Sequence, residues 1–171
     1  TLQRDDVLYY TLNSFGEIDC LILSEATGDT YTYFYVTSAE TNSSSTSVSG
    51  SYEYYQNGEQ YTISGSVIYT AKTGGAALIY EDEELANIRQ LEDITITDLD
   101  ALSLTATSGN RSYDIAEDVQ VLLRDTNGSR GYYLTTLSEI DSSSYTLKGW
   151  YDDFGCSAGG RIRIIVATPE E

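Results

Sequence analysis

The sequence predicts an all-β fold, and three observations carry that reading. Sixteen Tyr and abundant Thr and Ser accompany 14 Gly and a single proline, Pro169. Aromatic and β-branched residues suit a pleated, half-buried surface, and glycine suits tight turns. Apolar and polar residues alternate with a period of two in several runs, the pattern of a strand with one face buried. Short Asn- and Gly-containing segments separate the runs, and these residues accept the positive φ that hairpin turns need.

Taken along the chain, Leu8-Tyr9-Tyr10 and Ile18-Asp19-Cys20-Leu21-Ile22 flank Phe15-Gly16-Glu17 and read as a hairpin over 7–23. Ser38–Ser47 is polar, Ser/Thr-rich and aperiodic, so an exposed loop is expected there. Turns are expected at Gln56-Asn57-Gly58-Glu59, Thr73-Gly74-Gly75, Ser108-Gly109-Asn110 and Thr126-Asn127-Gly128. One segment looks helical. Over 81–91, Leu85, Ile88 and Leu91 fall on one helical face, and acidic residues crowd the N-terminal end, where a helix dipole favours them. Beyond it, Leu102, Leu104 and Ala106 alternate with Ser103, Thr105 and Thr107. Val119, Val121 and Leu123 oppose Gln120 and Arg124, and Ile162, Ile164 and Val166 alternate with Arg161 and Arg163.

An internal repeat is expected from an offset of 52 residues: Tyr61/Tyr113, Ile63/Ile115, Val67/Val119, Tyr80/Tyr132, Leu85/Leu137 and Ile88/Ile140. The N-terminal hairpin also resembles Gly149-Trp150-Tyr151 followed by Arg161–Val166. The expected architecture is therefore two tandem small β-barrels of SH3-like or OB-like type, or a continuous pair of twisted sheets, arising by duplication and carrying one short helix. The first module would span 1–98, closed by the hairpin 7–23, and the second 99–171, with a junction near Asp98–Asp100.

Charge narrows the function classes. Nine Lys and Arg against 27 Asp and Glu give a net charge of −18. Such a chain repels phosphate backbones and anionic membranes, so no nucleic acid partner is expected. No apolar run approaches the ~20 residues of a spanning helix, and the chain is expected not to be membrane-spanning. It starts at Thr1 and contains no Met, so a processed product or an excerpt of a longer protein is expected. Cys20 and Cys156 lack a CxxC context and no His is present. No metal site and no cofactor are expected, and two free thiols are favoured over a disulfide.

Catalytic motifs are weak. Gly155-Cys156-Ser157-Ala158-Gly159 satisfies the pattern of a nucleophile elbow, but such a serine needs a histidine to take its proton and this chain has none. Lys72 and Lys148 lack a Ser-x-x-Lys context, and an isopeptide bond from either would require burial beside a carboxyl group. Asp152 with Asp153, and Asp98 with Asp100, are short-spaced carboxylates of the kind found at turns, although a glycosidase would use such a pair. Glu81–Glu84 lacks the spacing of a calcium loop. The chain is thus expected not to be an enzyme. Three aromatic clusters remain: 31–35, 52–55, and 132–133 with 150–151. Tyr55, Trp150 and Tyr151 are the candidates for an exposed platform that would stack on sugars, although Tyr in a small barrel more often fills the core.

Tyr113-Asp114-Ile115-Ala116-Glu117-Asp118-Val119-Gln120-Val121, Tyr132-Tyr133-Leu134-Thr135-Thr136-Leu137 and Gly159-Gly160-Arg161-Ile162-Arg163-Ile164-Ile165 resemble β-rich regions of large surface proteins from Gram-positive gut bacteria that also carry S-layer homology domains. Asp6-Val7-Leu8-Tyr9-Tyr10-Thr11-Leu12 with Gly16-Glu17-Ile18 resembles the same proteins. The resemblance covers most of the chain, and its motifs are structural. It implies export to the bacterial cell envelope, attachment through other domains of the same surface protein, and no catalytic residues. The expectation is a structural or interaction module meeting those domains or a cell-wall or host glycan or protein; the alternative is a carbohydrate-binding module.

Overall fold

The computed structural model describes residues 7–23, 31–66, 68–81, 84–128, 131–152 and 160–170. These residues form an all-β molecule of three sheets. Strands β1 (Val7–Leu12) and β2 (Ile18–Leu23) make a two-stranded hairpin. Next come β3 (Thr32–Ser43), β4 (Val48–Gln56), β5 (Glu59–Gly65), β6 (Gly74–Glu81) and β7 (Glu84–Gln90). They form an antiparallel sheet in the order β5-β4-β3-β6-β7. The chain changes sheets at Leu91 and continues as β8 (Glu92–Ile96), β9 (Asp98–Asp100), β10 (Thr105–Ser108), β11 (Arg111–Arg124), β12 (Tyr132–Thr135), β13 (Tyr145–Asp152) and β14 (Arg161–Pro169). Their order is β8-β13-β14-β11-β10-β9, with β12 on the far part of β11 and one parallel pairing, β11 with β14.

The seven-stranded sheet rolls into a half-barrel. Its two ends, β8 and β9, are one stretch of chain interrupted only at Thr97. The Thr97 amide donates to the Thr107 carbonyl at 2.8 Å, drawing the stretch towards β10. Ile96, Ile115, Val121, Leu147, Ile162 and Ile165 fill the interior. The five-stranded sheet has two apolar faces. Phe34, Val36, Tyr52, Tyr54, Leu78 and Ile88 cluster on one. There Tyr52 Oη accepts from the Tyr69 amide at 2.7 Å and donates to the Tyr69 carbonyl at 2.9 Å, which straps the 68–73 connection over that face. Tyr33, Tyr35, Tyr55, Ala77 and Leu91 lie on the other face. They meet Leu122, Trp150, Ile164 and Val166 of the half-barrel, so the two sheets share one core.

Several expectations are corrected here. Residues 84–90 are a strand, not a helix. The pattern deceives because a β-bulge opposite Ile79 and Tyr80 brings Leu85 and Ile88 to one face, while Leu91 serves the opposite core. The only helical turn among the described residues is a three-residue 3-10 turn at Leu137–Glu139. Ser38–Ser47 is mostly strand: β3 and β4 run on as an exposed two-stranded arm whose turn is only 44–47. Residues 101–104 form a turn in which Leu102 is fully exposed and Leu104 takes φ +51°. The turn at Asn57 and Gly58 is as expected, with φ of +50° and +79°.

The 52-residue offset does not superpose equivalent elements, and the internal duplication is not confirmed. The offset pairs the edge strand β5 with the central strand β11, and β7 with the 3-10 turn and its exit. The hairpin β1–β2 hydrogen-bonds, as a sheet, to neither of the others. No helix is long and apolar enough to cross a membrane among the described residues.

Candidate functional site

Among the described residues, a buried and fully hydrogen-bonded polar group sits in the seam between the sheets. Arg163 is the extra residue of a β-bulge: Trp150 pairs with Ile164 and Tyr151 with Ile162, leaving Arg163 unopposed. A bulge re-aims its side chain and inverts the facing of the residues beyond it. Ile162 therefore points into the half-barrel, whereas Ile164 points into the seam. Arg163 turns towards Asp152, and its Nε donates to Oδ2 at 2.6 Å. Tyr33 Oη, from the other sheet, donates to the same oxygen at 2.8 Å, and the Arg161 amide donates to Oδ1 at 2.7 Å. The Arg163 guanidinium lies 5.0 Å from the Tyr33 ring centroid, in cation–π geometry. Both charged side chains are essentially fully buried. Two ions taken out of water persist only when each is paired and hydrogen-bonded, and here both conditions hold.

Gln120 adds a second polar tie. Its Nε2 donates to the Tyr33 carbonyl at 2.6 Å, and its Oε1 accepts from the Asn57 amide at 2.9 Å, holding the β4–β5 turn against the half-barrel. Aromatic packing completes the seam. Tyr35 meets Trp150 edge-on at 5.0 Å and Tyr132 at 5.1 Å, and Tyr55 meets Tyr132 at 5.3 Å. Gly74 and Gly75 open β6 not as a turn but as a bed for the indole. A Cβ on Gly75 would overlap the Trp150 ring, and one on Gly74 would approach its Nε1 at 2.6 Å. Burial pushes the Tyr35 hydroxyl well above its ordinary value, and its hydrogen bond with Tyr132 adds to that rise.

The three candidates for an exposed platform take the core-filling role instead. Trp150 is 5% exposed and Tyr55 6%, both in the seam. Tyr151 is half-buried on the opposite side of β13, edge-on to Tyr113 at 5.1 Å. The structure brings Tyr55 and Trp150 into one cluster, but as core rather than as a surface open to sugars.

The carboxylates with the short spacing of a possible pair also have other roles. Asp152 is the buried acceptor of the seam, and Asp153 lies outside the described residues, as do Cys156 and Ser157. Asp100 is exposed and caps the following turn. Ser103 and Leu102 donate to its carboxylate and hold its pKa below the ordinary range. Lys148 is half-exposed and pairs with Asp93 at 2.8 Å, an ordinary cross-strand ion pair without the burial an isopeptide bond needs. Cys20 is a free, half-buried thiol.

A cavity of about 560 Å³ opens beside the seam. It exists because β11 is bulged between Ile115 and Gln120 where it runs beside β14. Asp114, Glu117 and Asp118 rim it, and Arg161 and Arg163 line it. Arg163 reaches Asp118 at 3.8 Å but is committed to Asp152 at the shorter distance. Ser103, also on the rim, shares its hydroxyl with Thr105 at 2.8 Å. The opening follows from the β11 irregularity, which is distinct from the β14 bulge that aims Arg163 at Asp152.

Sequence reasoning misses the roles of Arg163, Tyr33 and Gln120. Strict alternation assigns Arg163 and Gln120 to solvent, and a bulge leaves no signal in a period-two pattern. Comparison with known protein families, characterised proteins and solved structures yields no match.

Proposed function

We propose that the chain is a non-catalytic, load-bearing structural module of a bacterial cell-surface protein, working alongside other domains of that protein at the envelope. One observation carries the reading. The first strand of the two-sheet body, β3, and the last, β14, are interior strands of their sheets and touch across the seam. β3 is hydrogen-bonded to β4 and β6, and β14 to β13 and β11. Tension arriving through the segments before Thr32 and after Pro169 must shear two ladders on each strand. It must also part Tyr33 from the Asp152–Arg163 pair. The acidic composition and the resemblance to envelope proteins support the same setting.

Single-molecule stretching of the chain through its two ends tests this. The expected trace shows easy extension of the N-terminal hairpin, then one resisting event for the whole body, weakened by Asp152→Ala. Forced unfolding reads the unfolding barrier, so the comparison with the variant is direct. A body that extends as easily as the hairpin would remove the load-bearing role.

A further inference from the structure

The sheet edges of this molecule differ in how they are protected. An edge strand presents unpaired amides and carbonyls, and natural proteins blunt it with Lys, Pro, bulges or closure. The ends of the seven-stranded sheet are one continuous stretch, β8 and β9, turned towards β10. The β7 edge is bulged and bears Glu84 and Arg89. β5 has none of these devices. Its seven residues pair with β4 without a register break, from Gln56↔Glu59 to Gly50↔Gly65, and its only charge is Glu59 at the start. Tyr61 stands on this edge, stacked on Tyr54 on one side and 42% exposed. Glu59 fixes its ring by accepting from the hydroxyl at 2.7 Å.

The same chain carries an element with the opposite deficiency. The hairpin β1–β2 is a sheet by itself, and two strands alone are marginal in water. Tyr10, Leu12 and Ile18 lie on one face and Tyr9 on the other, all more than half exposed, with Phe15 at the tip 87% exposed. An apolar element lacking a sheet and a sheet lacking an edge guard are complementary.

We propose that the β1–β2 hairpin of one copy adds to the β5 edge of a second copy, extending the five-stranded sheet between molecules. Main-chain pairing supplies the affinity, as in other strand additions, and the hairpin's apolar side chains meet Tyr61 and Ile63. The contact is heterologous, hairpin to edge, so its repetition builds chains of copies rather than a closed dimer. Each copy carries a charge of −18, so association strengthens as salt screens the repulsion.

The test is the mass of the full chain by light scattering across concentration and ionic strength, with amide hydrogen exchange on the same samples. The expected result is multiples of the single-chain mass that grow with both variables, with slowed exchange in Val7–Leu23 and Glu59–Gly65 together. Thr62→Lys, on the exposed edge, should return the protein to single-chain mass while its far-UV spectrum and Trp150 fluorescence stay unchanged. Single-chain mass under all conditions would overturn the proposal. So would association that leaves Glu59–Gly65 exchange unchanged, or association that Thr62→Lys does not weaken.

Discussion

The two large sheets use the same residue types and end differently. The seven-stranded sheet carries its first strand around to its own far side, so the segment Glu92–Asp100 bounds both ends. The five-stranded sheet stays open, with a bulged edge at β7 and an unguarded one at β5. Neither has a private hydrophobic core on the side where they meet. Tyr33, Tyr35 and Tyr55 from one sheet, and Leu122, Trp150 and Ile164 from the other, form a single cluster. The difference teaches that the half-barrel can nearly satisfy itself, whereas the open sheet depends on the seam on one face and on a strapped connection on the other.

The sharpest way to break that dependence is to remove one member of the buried pair. Asp152→Ala takes from Arg163 its nearer carboxylate and from the Tyr33 hydroxyl its Asp152 acceptor, and losing one partner of such a buried pair costs about 3–5 kcal/mol. Denaturant unfolding of the variant measures it, and a loss below about 1 kcal/mol, on the order expected of an exposed pair, would show that the seam is open to water. Gly75→Ala attacks the same seam by volume rather than charge. The added methyl must displace the Trp150 indole, so a cost of about 1–3 kcal/mol and a shifted Trp150 emission are expected.

Two pH effects separate the regions further. The Tyr35 hydroxyl ionises less readily in the folded seam than in the unfolded chain. Its contribution is therefore complete below the ordinary tyrosine pKa of about 10 and is lost as pH rises beyond it. Tyr35→Phe should flatten the alkaline limb of a melting-temperature profile, and an unchanged limb would argue against burial of that hydroxyl. The smallest effect belongs to the half-barrel's turns. Hydrogen bonds from Ser103 to Asp100, and from Ser143 and Ser144 to Asp141, lower the pKa of both carboxyls. Their contribution is present above the unfolded carboxylate pKa of about 4 and is lost as pH falls through the folded values. Asp100→Asn and Asp141→Asn should each lower the neutral-pH melting temperature slightly and remove part of the acid dependence.

The all-β class, the hairpin at 7–23 and the turn at Asn57-Gly58 are legible in the sequence, because composition and turn chemistry are local. Less legible is everything governed by bulges. Ile162, Ile164 and Val166 alternate with arginines as in a half-exposed strand, yet the bulge at Arg163 sends Ile162 and Ile164 to different cores. Leu85, Ile88 and Leu91 carry helical spacing for the same kind of reason: a bulge keeps Leu85 and Ile88 on one face of a mostly exposed strand, and Leu91 just past its end turns to the opposite core. Gly74 and Gly75 have the look of a turn, because a close approach to an indole far along the chain has no local signature. The aromatic candidates are legible as core filling, but not the fact that Tyr55 and Trp150 meet from two different sheets. Burial on both sides of a sheet depends on a second sheet, and a period-two pattern cannot announce one.

The central claim is that the two sheets form one body through a seam at Trp150. Trp150 is the sole tryptophan, so its fluorescence reports the seam alone, while far-UV circular dichroism reports all the strands. Both should be followed through one denaturant titration. A single coincident transition is predicted, as for one cooperative unit. Loss of the Trp150 signal while strand content persists would contradict the claim and make the sheets two independent units.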